Sequence, residues 1–424
     1  MLIDGWLYSR KRKQRWWRFL QLQEVYQSAQ SAAEPEKLLE RCFRKLGYPA
    51  PEQELVFIWR QWIALGAARK PVLSEDDITS LESSVQALSC HSMPFLAWLD
   101  LCRLAIGVGL YGLAQRFRQQ AILCGASIAD DAGAKVPTTA ELACGMYCCL
   151  ELQDYVRAEE LIVRLEHSDL SREKLRQVRW LFDLLSGKRP SQAIGDSSGA
   201  DELDQAFGDY VFGRELALVG PVPVTVAQGP EIDGFDRVVK FSYQGGDKGR
   251  DSETQGKRID VSYYNNTQAE RLADGPYAEV LAQMDWGVCI NRKGRSRFPS
   301  GERKLRQLES LQWLLPDTHL NAGPDAMLDL LRFNPSYIKV FNTDLMLSAG
   351  RYAGYRAPGA KPIQYTRSFI KTHDPILQYK VINRLWELGY IRGDDRFEDV
   401  MEMGLDGYLK SLQRVHGADE QALL

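Results

Sequence analysis

A chain of 424 residues has room for two or three domains, and 45 % hydrophobic with 26 % charged residues is the mix of a globular protein, not a disordered or low-complexity one. A formal net charge of −3 leaves no overall basic excess to hold a nucleic acid. The most apolar stretch, Leu104–Leu113, is far shorter than the roughly 18–20 residues of a bilayer span.

The opening MLIDGWLYSRKRKQRWWRF has no apolar core ahead of a small-residue cleavage site, so a cytoplasmic protein is expected. Within residues 1–30, Arg10, Lys11, Arg12, Lys13, Arg15 and Arg18 interleave with Trp6, Tyr8, Trp16, Trp17 and Phe19. Basic side chains beside tryptophans suit an anionic membrane surface, and residues 6–19 could hold the protein peripherally on the inner face of the membrane. The alternative is a solvated first helix whose aromatics dock on the next one.

From 31 to 187 apolar residues recur at i, i+3, i+4 and i+7, as in LVFIWRQWIALG, which predicts a wholly helical domain. Small residues fall where paired helices would approach closely: Ala114, Ala121 and Ala158. This resembles tetratricopeptide hairpins, but Ala114 and Ala158 stand 44 residues apart, against about 34 in that repeat. The expectation is a degenerate helical repeat that binds a protein partner or braces a neighbour. The eight cysteines form no C-x₂-C pair, so they read as buried thiols, and no metal is expected.

Residues 188–205 begin in GKRPSQAIGDSSG, the composition of a linker. From 206 to 424 the pattern changes to short β-type runs at 215–220, 237–243, 258–265, 286–291 and 337–344, with helical stretches at Ala326–Arg332 and Pro375–Leu388 among the later ones. The alternation predicts an α/β Rossmann-like domain with a mainly parallel sheet, whose ligands bind in the loops after the strands. Neither G-x-G-x-x-G nor a P-loop occurs, and no D-x-D pair is present to carry a metal–nucleotide complex.

The order of features is more informative. A strand ending at Gly220-Pro221 is followed by Ile232-Asp233-x-x-Asp236-x-Val238-Val239-Lys240-Phe241-Ser242, and then by Asp260-Val-Ser-Tyr-Tyr-Asn265. Later come Gly323 with an apolar helix, Ile338-x-Val340-x-Asn342-x-Asp344, and finally His373-Asp374-Pro375. About residues 213–410 resemble the sialyltransferase-like glycosyltransferases, the CMP-sugar-dependent group that includes sialyltransferases and Kdo transferases. Pro221–Val222, Lys240, Ser242 and Asn342 replace the Asn, Arg, Asn and Gly usual in that pattern.

The resemblance implies an inverting transfer of Kdo, or less favoured sialic acid, from its CMP conjugate to a glycan or lipid-linked glycan acceptor, with no cofactor beyond the CMP-sugar. His373 would deprotonate the acceptor hydroxyl. Gly220, Pro221, Ser242, Asn265, His319, Gly323 and Asp344 would surround the donor nucleotide. The basic loop with Arg292 and Arg295 could meet the donor carboxylate or an anionic acceptor. The residues themselves place His373 before a helix capped by Asp374 and Pro375, where the positive end of the helix dipole would favour a neutral imidazole. His319 could serve the nucleotide phosphate or be structural. The main alternative is a non-catalytic adaptor carrying a degenerate nucleotide-binding domain. A methyltransferase or pyrophosphokinase on a similar sheet is a further one.

Overall fold

The computed structural model describes residues 3–67, 75–130, 136–188, 202–246, 251–348, 350–352, 355, 359 and 364–417. The linker read in the sequence lies mostly outside them. Helices fill the chain from Ile3–Ala29 to Glu202–Val211, ahead of any strand among the described residues. Seven strands follow: β1 (Glu215–Val219), β2 (Arg237–Phe241), β3 (Val261–Tyr264), β4 (Trp286–Cys289), β5 (Leu305–Gln307), β6 (Tyr337–Phe341) and β7 (Arg392–Gly393). They form one sheet in the order β5-β4-β3-β2-β1-β6-β7, and every pairing is parallel.

The architecture thus combines helices with an α/β part, as expected, and the sheet is parallel throughout. The chain winds outward from β1 to β5 and then returns to place β6 on the other side of β1. That reversal is a switch point, the place where open α/β sheets commonly bind ligands, and here the loops after β1 and β6 are tied by Gly220 N to Phe341 O at 2.8 Å and Val222 N to Asn342 O at 3.2 Å.

The helical layer is held by close pairs. Phe95–Gly107 packs on Tyr111–Ala126, and Thr139–Glu151 on Tyr155–Glu166. Ala114, Ala121 and Ala158 are wholly buried, as small residues at such contacts must be. Their core is continuous with that of the sheet: Phe19, Trp62 and Leu185 belong to one apolar cluster with Leu216, Val239, Tyr263 and Val340. The helical layer thus rests directly on one face of the α/β half. The opposite face carries smaller clusters around Val219 and Tyr264.

Two strands had no sequence signal. β5 is three residues long with Arg306 at its centre, and β7 is two residues long and begins with Arg392. Arg306 is tolerated because Asp329 receives it bidentately at 2.6 and 3.2 Å, and Asp204 takes its Nε at 2.8 Å.

Candidate functional site

Two helices enter the sheet from its C-terminal edge. Ala322–Leu331 precedes β6 and Pro375–Glu387 precedes β7, so the first turns of both lie beside the ends of the strands. The segments leading into them are laced together. His319 N donates to Thr372 O at 3.0 Å, Thr318 Oγ1 to Thr372 O at 3.1 Å, and Asp374 N to Thr318 Oγ1 at 2.9 Å. Asp374 also accepts from Ile376 N and Leu377 N, so the predicted cap is present with Pro375 in the first turn.

This lacing brings His373 and His319 together. His373 Nδ1 lies 3.1 Å from the His319 carbonyl. A carbonyl only accepts, so Nδ1 carries the proton and Nε2 keeps its lone pair. The backbone of Leu320 also contacts the ring, which is half-buried rather than sealed. Burial lowers the pKa of His373 to about 4, helped by the cationic Arg15 and Arg12 and opposed by the bond to His319. Burial is the largest cause, where the sequence pointed to the helix dipole. His319 is buried and falls to about 2, again through burial first and Arg15 second. Both rings are neutral at pH 7.

A second group of predicted residues lines a narrow cleft of about 10 Å³ above β1 and β2. Val219, Gly220 and Pro221 form one wall, Lys240 and Phe241 another, with Gln255, Tyr352 and Tyr355 closing it. Lys240 is buried and donates to Gly256 O at 2.8 Å. Ser242 follows at a φ of 58° and Asn342, after β6, at 53°. Left-handed backbone at non-glycine residues is costly and gathers where strands give way to site loops. The loop after β6 joins the two regions: Asn342 O accepts from Val222 N at 3.2 Å, and Met346 Sδ accepts from Asn321 Nδ2 at 2.9 Å.

Several predicted residues are occupied in other ways. The Gly220 amide donates to Phe341 O at 2.8 Å, and a Cβ on it would stand 2.2 Å from Thr343 Oγ1, so it offers no amide to a phosphate. Asn265 caps Asn266–Ala273 by accepting from Gln268 N. Asp344 is buried against Arg396 at 2.8 Å. Arg295 gives its guanidinium to the carbonyls of Phe298, Pro299, Ser300 and Glu302, which braces its own loop. Arg292 is exposed at the start of Arg292–Arg295. Gly323 faces open space in the first turn of its helix, and Ser242 Oγ accepts from Arg271 at 3.3 Å. Asp236 accepts from Glu215 N at 3.0 Å and orders the first crossover.

Three residues of this region carried no clear signal. Arg15 and Asp317 contact or flank His319, and Asp325 is a half-buried carboxyl one turn into the helix after it. Burial raises the Asp325 pKa well above the carboxylate range, with Asp329 adding to it. Among the described residues, no group of three or more His, Cys, Asp or Glu is placed to hold a metal ion. No helix of the described residues is long and apolar enough to cross a membrane. No protein-family model matches the chain, and no curated protein matches it.

Proposed function

We propose that the chain is a metal-independent inverting glycosyltransferase that moves Kdo, or with less support sialic acid, from a CMP-sugar to a surface-glycan acceptor. The observation that carries this reading is the His373 ring. Its Nδ1–H is committed to His319 O, which leaves the lone pair on Nε2, and burial keeps the ring uncharged at neutral pH beside the strand ends. A general base needs that combination of tautomer and protonation state.

In the reaction, Nε2 takes the proton of the acceptor hydroxyl as its oxygen attacks the anomeric carbon. The bond from that carbon to the phosphate oxygen breaks, and CMP leaves with the bonding pair. The Gly323 amide, at the positive end of a ten-residue helix, and the buried His319 suit the phosphate charge that develops. In this reading the helical layer is a degenerate repeat that braces the α/β half. The exposed side of Ile3–Ala29 holds the enzyme on the inner face of the membrane, near lipid-linked acceptors.

One observation favours a non-catalytic adaptor instead: the cleft above β1 and β2 has a volume of about 10 Å³, far below the roughly 300–1,000 Å³ of most ligand pockets. Thermal shifts with CMP, UMP, ADP and S-adenosylmethionine, each with and without EDTA, separate the readings. Stabilisation by CMP that EDTA leaves intact, with turnover of CMP-Kdo, supports the transferase. A response confined to another nucleotide with metal, or to S-adenosylmethionine, overturns it. Silence from all four, with no turnover, supports the adaptor.

A further inference from the structure

The helix Ile3–Ala29 does more than lie against the helical layer. Its Arg15 side chain is almost completely buried at the C-terminal edge of the sheet. Arg15 Nη1 donates to Asp317 O at 2.9 Å, and Nη2 lies 3.0 Å from His319 Nε2. Asp317 is itself gripped: its carboxylate accepts from Arg18 at 3.1 Å and Arg103 at 2.8 Å. Its backbone sits in the left-handed region, at a φ of 47°. Three arginines from two helices thus fix the residue two before His319.

A guanidinium has only donors, so His319 Nε2 must be the acceptor and the single proton of the neutral ring lies on Nδ1. The carbonyl of the same residue accepts from His373 Nδ1. The contacts therefore run from Arg15 to His319 and from His319 to His373. We propose that Arg15 is a positioning residue of the catalytic centre: it sets the tautomer and seat of His319, and through the His319 carbonyl it orients His373. The first helix is then an integral part of the site. The inference rests on the reading of His373 as the base.

The charged surroundings of the two rings agree with this. From the first helix, Lys11, Arg12 and Arg15 all disfavour a charged His319, and Arg12 and Arg15 act likewise on His373. The acids nearby are compensated. Asp317 is held by the arginines named above, and Asp374 by Arg118 from Tyr111–Ala126 at 2.5 Å. On the remaining side, Arg367 and Lys371 stack over Trp16 at 5.0 and 5.3 Å.

The test uses the full chain labelled with ¹³C and ¹⁵N at its five histidines, with His319→Gln and His373→Asn used for assignment. In the unaltered protein at pH 7, the ring nitrogen shifts should show His319 and His373 both protonated at Nδ1. A His319 ring protonated at Nε2 overturns the proposal without any variant. In Arg15→Met, His319 should populate both tautomers, and the His373 midpoint should rise by about one pH unit as a neighbouring cation is lost. The acid limb of kcat/KM should move with it. Arg15→Lys keeps the charge and should restore the midpoint. A folded Arg15→Met protein with both rings unchanged overturns the proposal, whatever its stability. Full transfer by His373→Ala would instead sink the reading of His373 as base, while leaving the tautomers as they are.

Discussion

Arg118 donates from Nε to Asp374 Oδ2 at 2.5 Å, joining residues 256 apart in sequence. Asp374 caps the helix that begins beside His373, and Arg118 belongs to the helical layer, so the cap is held from outside the α/β half. The same guanidinium also pairs with Glu151, which Lys380 reaches at 2.9 Å. Arg118 is wholly buried and Glu151 nearly so.

Removing the shared cation strands two carboxylates at once. Arg118→Met should cost about 3–5 kcal/mol, as expected when one partner of a buried ion pair is lost. Urea unfolding followed by tryptophan fluorescence would read it. A loss under 1 kcal/mol would show that Lys380 alone neutralises Glu151.

Acid should unfold the protein in stages. The His373 pKa is lowered from 6.5 to about 4, so the unfolded chain binds more protons between those values, and stability must fall as pH drops through that window. The displacement corresponds to roughly 3 kcal/mol, present in full above pH 6.5 and gone below about 4. Glu151 adds a later stage. Burial alone would raise its pKa, but Arg118 and Lys380 outweigh it and bring the value to about 2. Its contribution is lost as pH falls from the ordinary carboxylate range toward 2. His319, lowered from 6.5 to about 2, adds a slope of the same sign across that window, so His373→Asn should remove about half of the fall in urea midpoint between pH 6.5 and 4 and leave the stage below 4 unchanged.

His373→Ala should lower kcat about 10²–10⁴-fold, the usual contribution of a positioned general base, while leaving CMP affinity within twofold. Isothermal titration with CMP beside turnover of CMP-Kdo would check both. Equal losses in binding and turnover would mean that the ring holds the donor and takes no proton.

Asp325 should respond in the opposite sense to His373. Its pKa is raised by burial, so the folded state holds the protonated form, and the contribution present at low pH is lost as pH rises through the folded value. Asp325→Asn removes the ionisation and should stabilise the fold at pH 7 by about 1–2 kcal/mol. Comparing urea midpoints at pH 5 and pH 8 gives the check: the gain should appear at the higher pH. A loss at both would mean that the carboxylate makes a contact the amide cannot replace.

Much of this architecture was legible because the signals are local. The runs around Leu216–Leu218, Val238–Phe241 and Ile338–Phe341 are β-branched, aromatic or aliphatic apart from Lys240 and Lys339, and all became strands. Asp374-Pro375 announced a helix start in two letters. β5 and β7 were silent because partner strands, not their own pattern, make them strands. The arginines of the first helix misled for a physical reason: charge in sequence does not report burial. Arg15 and Arg18 share the i, i+3, i+4, i+7 spacing with Phe19, Leu22 and Tyr26, and that whole stripe is buried. The spacing was visible, but the ion pairs that permit it come from Asp100 and Asp317, far along the chain. Asp344 was expected near the donor nucleotide only through the family resemblance, and Asn342 only as a departure from that pattern. Here they tie loops together, Asn342 N donating to Asp394 at 2.8 Å.

What remains of the basic and aromatic start for a membrane is the other side of the helix. Arg10, Lys11 and Lys13 are exposed, Trp17 is 43 % exposed and Leu20 37 %, while Arg15, Arg18 and Phe19 point inward. A stripe of cations beside an accessible indole suits an anionic headgroup layer, each basic residue contributing about 1 kcal/mol at the surface. Sedimentation with phosphatidylglycerol vesicles should therefore retain the protein at low salt and release it as ionic strength rises. Lys13→Glu with Trp17→Ala should cut the bound fraction at least tenfold without altering turnover of a soluble acceptor, because neither side chain reaches the histidine pair. Arg15→Met should do the reverse, sparing vesicle binding and changing catalysis. If Lys13→Glu with Trp17→Ala sediments as well as the parent protein, the exposed face of the helix is an ordinary solvated surface, and the helix serves the site alone.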